Sequence, residues 1–127
     1  MVAGVATYVA GEQTEVVVLR TFDEQGVSHD TKMWIVDVDA AAWVRVANPH
    51  REWFRRISAH PQVVLVRSGV SHAVVARPDE GPEARSSIDQ AFRAKYGWVD
   101  WWYGVLVRRG AIPIRLERDP ARAKLAL

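Results

Sequence analysis

Short β-branched runs joined by tight connections dominate this chain, and residues 31–66 show the pattern most clearly. Two such runs flank an acidic turn, an amphipathic stretch follows them, and a third apolar run closes the segment. Connections this short suit antiparallel hairpins and not βαβ units, so the sequence predicts a mainly β (α+β) fold with an antiparallel sheet. Residues 1–13 are either a lead-in or a further short strand, so the count from the residues is six or seven. The other predicted strands are 14–21, 31–38, 42–47, 62–67, 71–77 and 112–118.

The third predicted strand has two chemically different faces. Trp43 and Arg45 alternate with Val44 and Val46, which places the two pairs on opposite sides of the sheet. Further along, a hairpin is expected across the three-residue loop Ser68-Gly69-Val70. The strands therefore predict a small barrel or a strongly bent sheet.

Two helices are predicted between the strands. The first begins at Pro49 and ends at Pro61, because proline is tolerated in the first turn of a helix and breaks its interior. The second covers 88–96 and is capped by Ser86 or Ser87. The aromatic segment 98–107 is either a third, short helix or an irregular stretch.

Length and composition set the class of protein. At 127 residues and 14.3 kDa the chain is expected to form a single domain over 1–127. It contains no cysteine, which excludes disulfides, thiolate metal sites and a cysteine nucleophile. The formal charge of +2 argues against a dedicated nucleic-acid partner.

The termini and apolar runs predict a cytoplasmic protein with no membrane partner. The first 13 residues lack a basic leader and soon reach Glu12, which is unlike a secretory signal peptide. No apolar run is long enough to cross a bilayer.

The familiar catalytic motifs are missing from the sequence. It has no Gly-rich phosphate loop, and no serine stands in a nucleophile elbow. No metal site is expected either, because the histidines have no metal-ligand spacing; they are His29, His50, His60 and His72. If the protein is an enzyme, a bound cofactor must carry the chemistry, and no catalytic residue is identified from the sequence.

The middle of the chain resembles the flavin-binding split β-barrel superfamily, which includes pyridoxamine-phosphate oxidase-like proteins and deazaflavin-dependent nitroreductases. The later pieces are similar to an uncharacterised bacterial branch of that superfamily. Together the matches cover about two thirds of the chain. The segments that carry the resemblance are Lys32-Met33-Trp34, Trp43-Val44-Arg45-Val46, Trp53-Phe54-Arg55-Arg56, His60-Pro61-Gln62-Val63, residues 88–97 and Ile114-Arg115-Leu116.

The resemblance implies a six-stranded antiparallel Greek-key split β-barrel with two or three short helices. It also implies a homodimer with the cofactor in a groove at the dimer interface. The positions that match the cofactor groove are Lys32, Trp34, Arg45, Asn48, Arg51 and Trp53. The turn at 23–30 is acidic where deazaflavin-binding members carry a basic loop. FMN is therefore the first cofactor expected and deazaflavin the second, and the third alternative is a barrel that binds no cofactor.

Two functions follow as expectations. The first is a flavin- or deazaflavin-dependent oxidoreductase that transfers hydride to or from a small organic substrate. The second is a cofactor-free split barrel that binds a small ligand or serves as a non-catalytic dimeric module. The aromatic residues from Trp98 to Tyr103 would plug the end of the barrel, form a contact between subunits or wall the substrate pocket.

Overall fold

The computed structural model describes residues 15–97 and 111–125. The strands in this part of the chain are β1 (Val16–Phe22), β2 (Ser28–Trp34), β3 (Val36–Val38), β4 (Ala41–Val46), β5 (Gln62–Arg67), β6 (Val70–Pro78) and β7 (Ile112–Arg118). The helices are α1 (Glu52–Ala59), α2 (Pro82–Tyr96) and α3 (Pro120–Leu125). No helix among the described residues is long and apolar enough to cross a membrane.

The strands form one curled antiparallel sheet in the order β2-β1-β5-β6-β7-β4-β3. β2 and β3 are consecutive in the chain, separated only by Ile35, yet they stand at opposite ends of this order. The sheet therefore curls until its two edges approach each other at Ile35. We call this place, where the chain passes from β2 to β3, the seam.

The described structure has seven strands, and the prediction of six is wrong on this point. The single predicted strand 31–38 is divided at Ile35 into two strands with different partners, β1 for the first part and β4 for the second. A run of alternating residues shows that a segment is extended, but not where it changes partner. The mainly β, antiparallel class is confirmed.

The core lies on both faces of the sheet. Val44 and Val46 point into the curl and pack with apolar residues of the other strands and of α1. Trp43 points outward and packs under α2 against Phe92 and Tyr96. The predicted division of β4 into two faces is confirmed, and each face has its own apolar partner.

Both predicted helices are present with different N-termini. α1 begins at Glu52, because Asn48 first forms a turn in which its carbonyl accepts a hydrogen bond from the Arg51 N–H, at 3.1 Å. α2 begins at Pro82, six residues before the predicted start, with the proline in its first turn. It ends as predicted at Tyr96.

The β5–β6 hairpin has a two-residue turn, so the predicted three-residue loop is wrong. Val70 pairs with Arg67 as part of the ladder, and only Ser68 and Gly69 lie between them. Their φ angles are 52° and 76°, the left-handed pair that a type I′ turn requires. The aromatic segment 98–107 lies outside the described residues.

Candidate functional site

A cleft of about 340 Å³ opens between β2 and β4. The two strands diverge here because β2 pairs with β1, whereas β4 pairs with β3 and β7. Helix α2 contributes one wall through Phe92, and the start of α1 contributes another. The lining residues with aromatic or cationic side chains are Lys32, Trp34, Arg45, Arg51, Trp53 and Phe92.

Five of the six residues expected at the cofactor groove line this one cleft. They are Lys32, Trp34, Arg45, Arg51 and Trp53. Asn48 is not among the lining residues. It is exposed, and its side-chain Oδ1 accepts a hydrogen bond from the His50 N–H at 2.9 Å, so this amide organises the turn before α1.

Arg45 is the buried cation of the cleft, with a side chain only 8% exposed. Its Nη1 donates to Oδ1 of Asp89 on α2 at 3.0 Å. Its Cζ lies 3.9 Å from the centre of the Phe92 ring. The Asp89 carboxylate compensates the charge of the guanidinium, and the Phe92 ring packs against it. Arg45 therefore joins β4 to α2 as well as lining the cleft.

Lys32 and Arg51 are the exposed cations at the rim. Within residues 15–97 and 111–125, neither side chain forms an ion pair with a carboxylate. Arg51 also directly precedes α1, where unpaired backbone N–H groups favour a negative charge. The rim can therefore hold an anionic group, while the aromatic interior is suited to a flat ring.

The aromatic walls are held by other aromatic rings. Trp34 stacks on Tyr96 with ring centres 4.7 Å apart and planes 13° apart. Phe92 stacks on the same tyrosine at 5.6 Å and 22°. Trp53 is 9% exposed and meets Phe54 edge-on at 6.2 Å. The rings expected to contact a ligand also pack the fold.

Three residues of α2 that organise the site were not among those expected at the cofactor groove. Asp89 pairs with Arg45, Phe92 lines the cleft and Tyr96 supports both aromatic walls. Ile88, Phe92 and Tyr96 recur every fourth residue, and all three are buried. That spacing was the available signal for Tyr96.

The acidic β1–β2 turn lies outside the cleft lining. Oδ1 of Asp23 accepts hydrogen bonds from the backbone N–H groups of Gln25 and Val27, both at 2.9 Å. Its other oxygen contacts Nε2 of His29 at 2.9 Å. The contact with His29, followed by that with the Val27 N–H, lowers the pKa of the Asp23 carboxyl below its usual range. This carboxylate is used to shape the turn.

Solved structures share the fold at low sequence identity. The heme storage protein HutZ of Vibrio cholerae is 15% identical, with 91% of this chain and 89% of that chain covered and a TM-score of 0.68. An F420-H2-dependent reductase, FDR-A, is 18% identical, with 81% and 94% covered and a TM-score of 0.67. A putative pyridoxamine 5'-phosphate oxidase of Listeria innocua is 12% identical, with 94% of each chain covered and a TM-score of 0.65.

These neighbours are split-barrel proteins related to pyridoxamine-phosphate oxidase, and the expected resemblance to that superfamily is confirmed. Identities this low show the fold alone. A search of the curated proteins found no match. A family model, described as an uncharacterized protein conserved in bacteria, matches residues 8–112. The chain therefore belongs to this bacterial family, DUF2255, and has the mainly β, curled antiparallel sheet of split-barrel proteins.

Proposed function

We propose that the cleft between β2 and β4 binds a flavin or deazaflavin cofactor and that the protein is an oxidoreductase. The observation that carries the proposal is the meeting of the Trp34 and Trp53 indoles with the rim cations Lys32 and Arg51 around one cavity. Flat aromatic walls suit a ring system, and exposed cations suit an anionic tail. The reductase and oxidase named among the structural neighbours support the same class.

The size and chemistry of the cleft fit such a cofactor. Its volume of about 340 Å³ lies at the lower end of the roughly 300–1,000 Å³ usual for ligand pockets, enough for one ring system. FMN is the first candidate and deazaflavin the second. When bound, the cofactor would supply hydride acceptance and donation, a chemistry that protein side chains lack.

The chain's own residues would position the cofactor and exclude water. Trp34 and Trp53 would orient the ring, and Lys32 and Arg51 would hold its anionic tail. Met33, which packs against the core, would keep the inner side of the cleft apolar. We further propose a cytoplasmic homodimer in which a second copy completes the groove and a small organic molecule is the substrate.

The test is a titration of the purified protein with FMN and, separately, with the deazaflavin cofactor, together with its mass in solution. Stacking on indole rings should quench the fluorescence of the bound cofactor and shift its absorbance. We expect saturable binding of one of the two to a dimer. If neither binds at concentrations up to the millimolar range, the proposal is wrong.

Two rim variants and a matched control locate the binding site. Lys32→Ala or Arg51→Ala should each weaken cofactor binding about tenfold or more, because a charge-assisted hydrogen bond contributes about 1.5–3 kcal/mol. Arg55→Ala is the control, since Arg55 is exposed on α1 but does not line the cleft. Equal affinity in all three variants would contradict the placement of the anionic tail.

The alternative function is a cofactor-free split barrel that binds a small ligand or serves as a non-catalytic dimeric module. The packing of the cleft favours it, because Arg45 is already compensated by Asp89, and Trp34 is already stacked on Tyr96. A dimer that binds neither cofactor, with the cleft intact, is the result expected from this alternative.

A further inference from the structure

Two side chains from the last turn of α2, Tyr96 and Lys95, bond to the backbone of the seam. The Ile35 N–H donates to the hydroxyl oxygen Oη of Tyr96 at 3.0 Å, and Oη lies 2.5 Å from the Ile35 carbonyl oxygen. Lys95 Nζ donates to the same carbonyl at 3.0 Å. Ile35 and Tyr96 are both fully buried. The last turn of α2 therefore satisfies both backbone groups of the residue at which the chain changes sheet edge.

The ring of the same tyrosine supports the cleft. One face stacks on Trp34, which directly precedes Ile35, and the ring also stacks on Phe92. Both neighbours line the cleft. A movement of the Tyr96 ring would therefore move two walls of the cleft. A movement of its hydroxyl would leave the Ile35 N–H without this partner and the Ile35 carbonyl with Lys95 alone.

We propose that Tyr96 is a positioning residue of the cleft, which couples the placement of the Trp34 indole to closure of the barrel seam at Ile35. The part of this inference that concerns cofactor affinity rests on the proposed function. The coupling of seam and indole does not, because it concerns contacts within the chain alone. Tyr96 does not line the cleft, so it acts through Trp34 and Phe92.

The hydroxyl can serve as donor and acceptor together. Burial raises the pKa of Tyr96 to about 12, so the group keeps its proton at neutral pH. That proton goes to the Ile35 carbonyl, the nearer of two acceptors, since the Glu15 carbonyl lies at 3.3 Å. Phenylalanine keeps the stacked ring but leaves both backbone groups of Ile35 without this partner.

The test compares Tyr96→Phe with Thr21→Val, which removes another fully buried hydroxyl. Thr21 lies on β1, accepts a hydrogen bond from Arg56 Nε at 2.8 Å and does not line the cleft. In the protein without added ligand, we expect amide exchange at Ile35 to be about tenfold faster in Tyr96→Phe than in the control, with a shifted NMR signal of the Trp34 indole.

FMN is the probe for the second arm. We expect Tyr96→Phe to weaken FMN binding about tenfold and Thr21→Val to leave it within about twofold. Because coupling is reciprocal, saturating FMN should slow exchange at Ile35 in the natural protein and slow it less in Tyr96→Phe. If FMN and deazaflavin both fail to bind the natural protein, the proposed function is wrong and the first arm alone decides the inference.

Two results would overturn the inference. One is equal exchange at Ile35 and an unmoved Trp34 indole signal in the two variants without ligand. The other is FMN binding that Tyr96→Phe leaves unchanged. Loss of stability common to both variants, with no difference at Ile35 or Trp34, is the first of these results, because the loss of any buried hydroxyl would cause it.

Discussion

Replacing Arg45 by alanine should destabilise the protein far more than removing its charged partner. The side chain lies 8% exposed between Asp89 and the Phe92 ring. Its aliphatic stem is therefore buried, and Nη1 of its guanidinium donates to the Asp89 carboxylate. Asp89 is 46% exposed and can be hydrated when its partner is lost. The cost of the substitution should come mainly from packing.

The magnitude follows from these contacts. Three buried methylene groups contribute about 0.8 kcal/mol each, and a cation–π contact of this kind contributes about 1 kcal/mol. The ion pair with half-exposed Asp89 adds about 1 kcal/mol at most. Arg45→Ala should lower the free energy of unfolding by about 3–4 kcal/mol, Asp89→Asn by at most about 1, and Arg45→Met, which keeps the stem, by about 1–2.

Urea unfolding followed by far-ultraviolet circular dichroism measures all three variants on one scale. The reasoning requires the order Arg45→Ala, Arg45→Met, Asp89→Asn, from the largest loss to the smallest. If Arg45→Ala and Asp89→Asn cost the same, the stem contributes nothing and the ion pair alone joins β4 to α2.

Two further predictions concern the ends of strands. The Arg67 guanidinium lowers the pKa of Glu15 below its ordinary value of 4.5 and that of Asp37 below its ordinary value of 3.8. These two ion pairs therefore contribute their whole stabilisation above about pH 4.5, and the contribution is lost as the pH falls further. In thermal unfolding, the difference in melting temperature between the natural protein and Arg67→Met should therefore shrink between pH 7 and pH 3. A difference that stays the same would contradict the role of these ion pairs. Gly69→Ala should cost about 1 kcal/mol because φ is 76° there, whereas Gly69→Asn should cost less, and urea unfolding that ranks them the other way would refute the strain argument.

Much of the candidate site could be predicted from the sequence. Lys32 and Trp34 lie on one strand, Arg45 lies on another, and Trp53 lies on the helix that follows, so a family pattern places them near one groove. Asn48 does not line it, because a short polar side chain before a helix bonds to its neighbouring backbone. The binding role of all these residues stays a proposal.

The sequence alone determined most of the strands, the presence of the two helices between them and the two faces of β4, but it did not divide the strand at Ile35 and did not predict α3. Alternation in β4 is a local pattern, and it arises from the geometry of the backbone itself. The antiparallel class follows from short connections for the same reason.

Only the tertiary structure decided that the predicted strand 31–38 changes partner at Ile35, and which side chains bond to the backbone there. Ile35 is bonded to Tyr96, 61 residues away, and Arg45 to Asp89, 44 residues away. No local pattern encodes such pairings, because they form only when the curled sheet brings α2 across its open edge. The cleft also depends on long-range pairing. β2 and β4 separate there because β2 pairs with β1, whereas β4 pairs with β3 and β7.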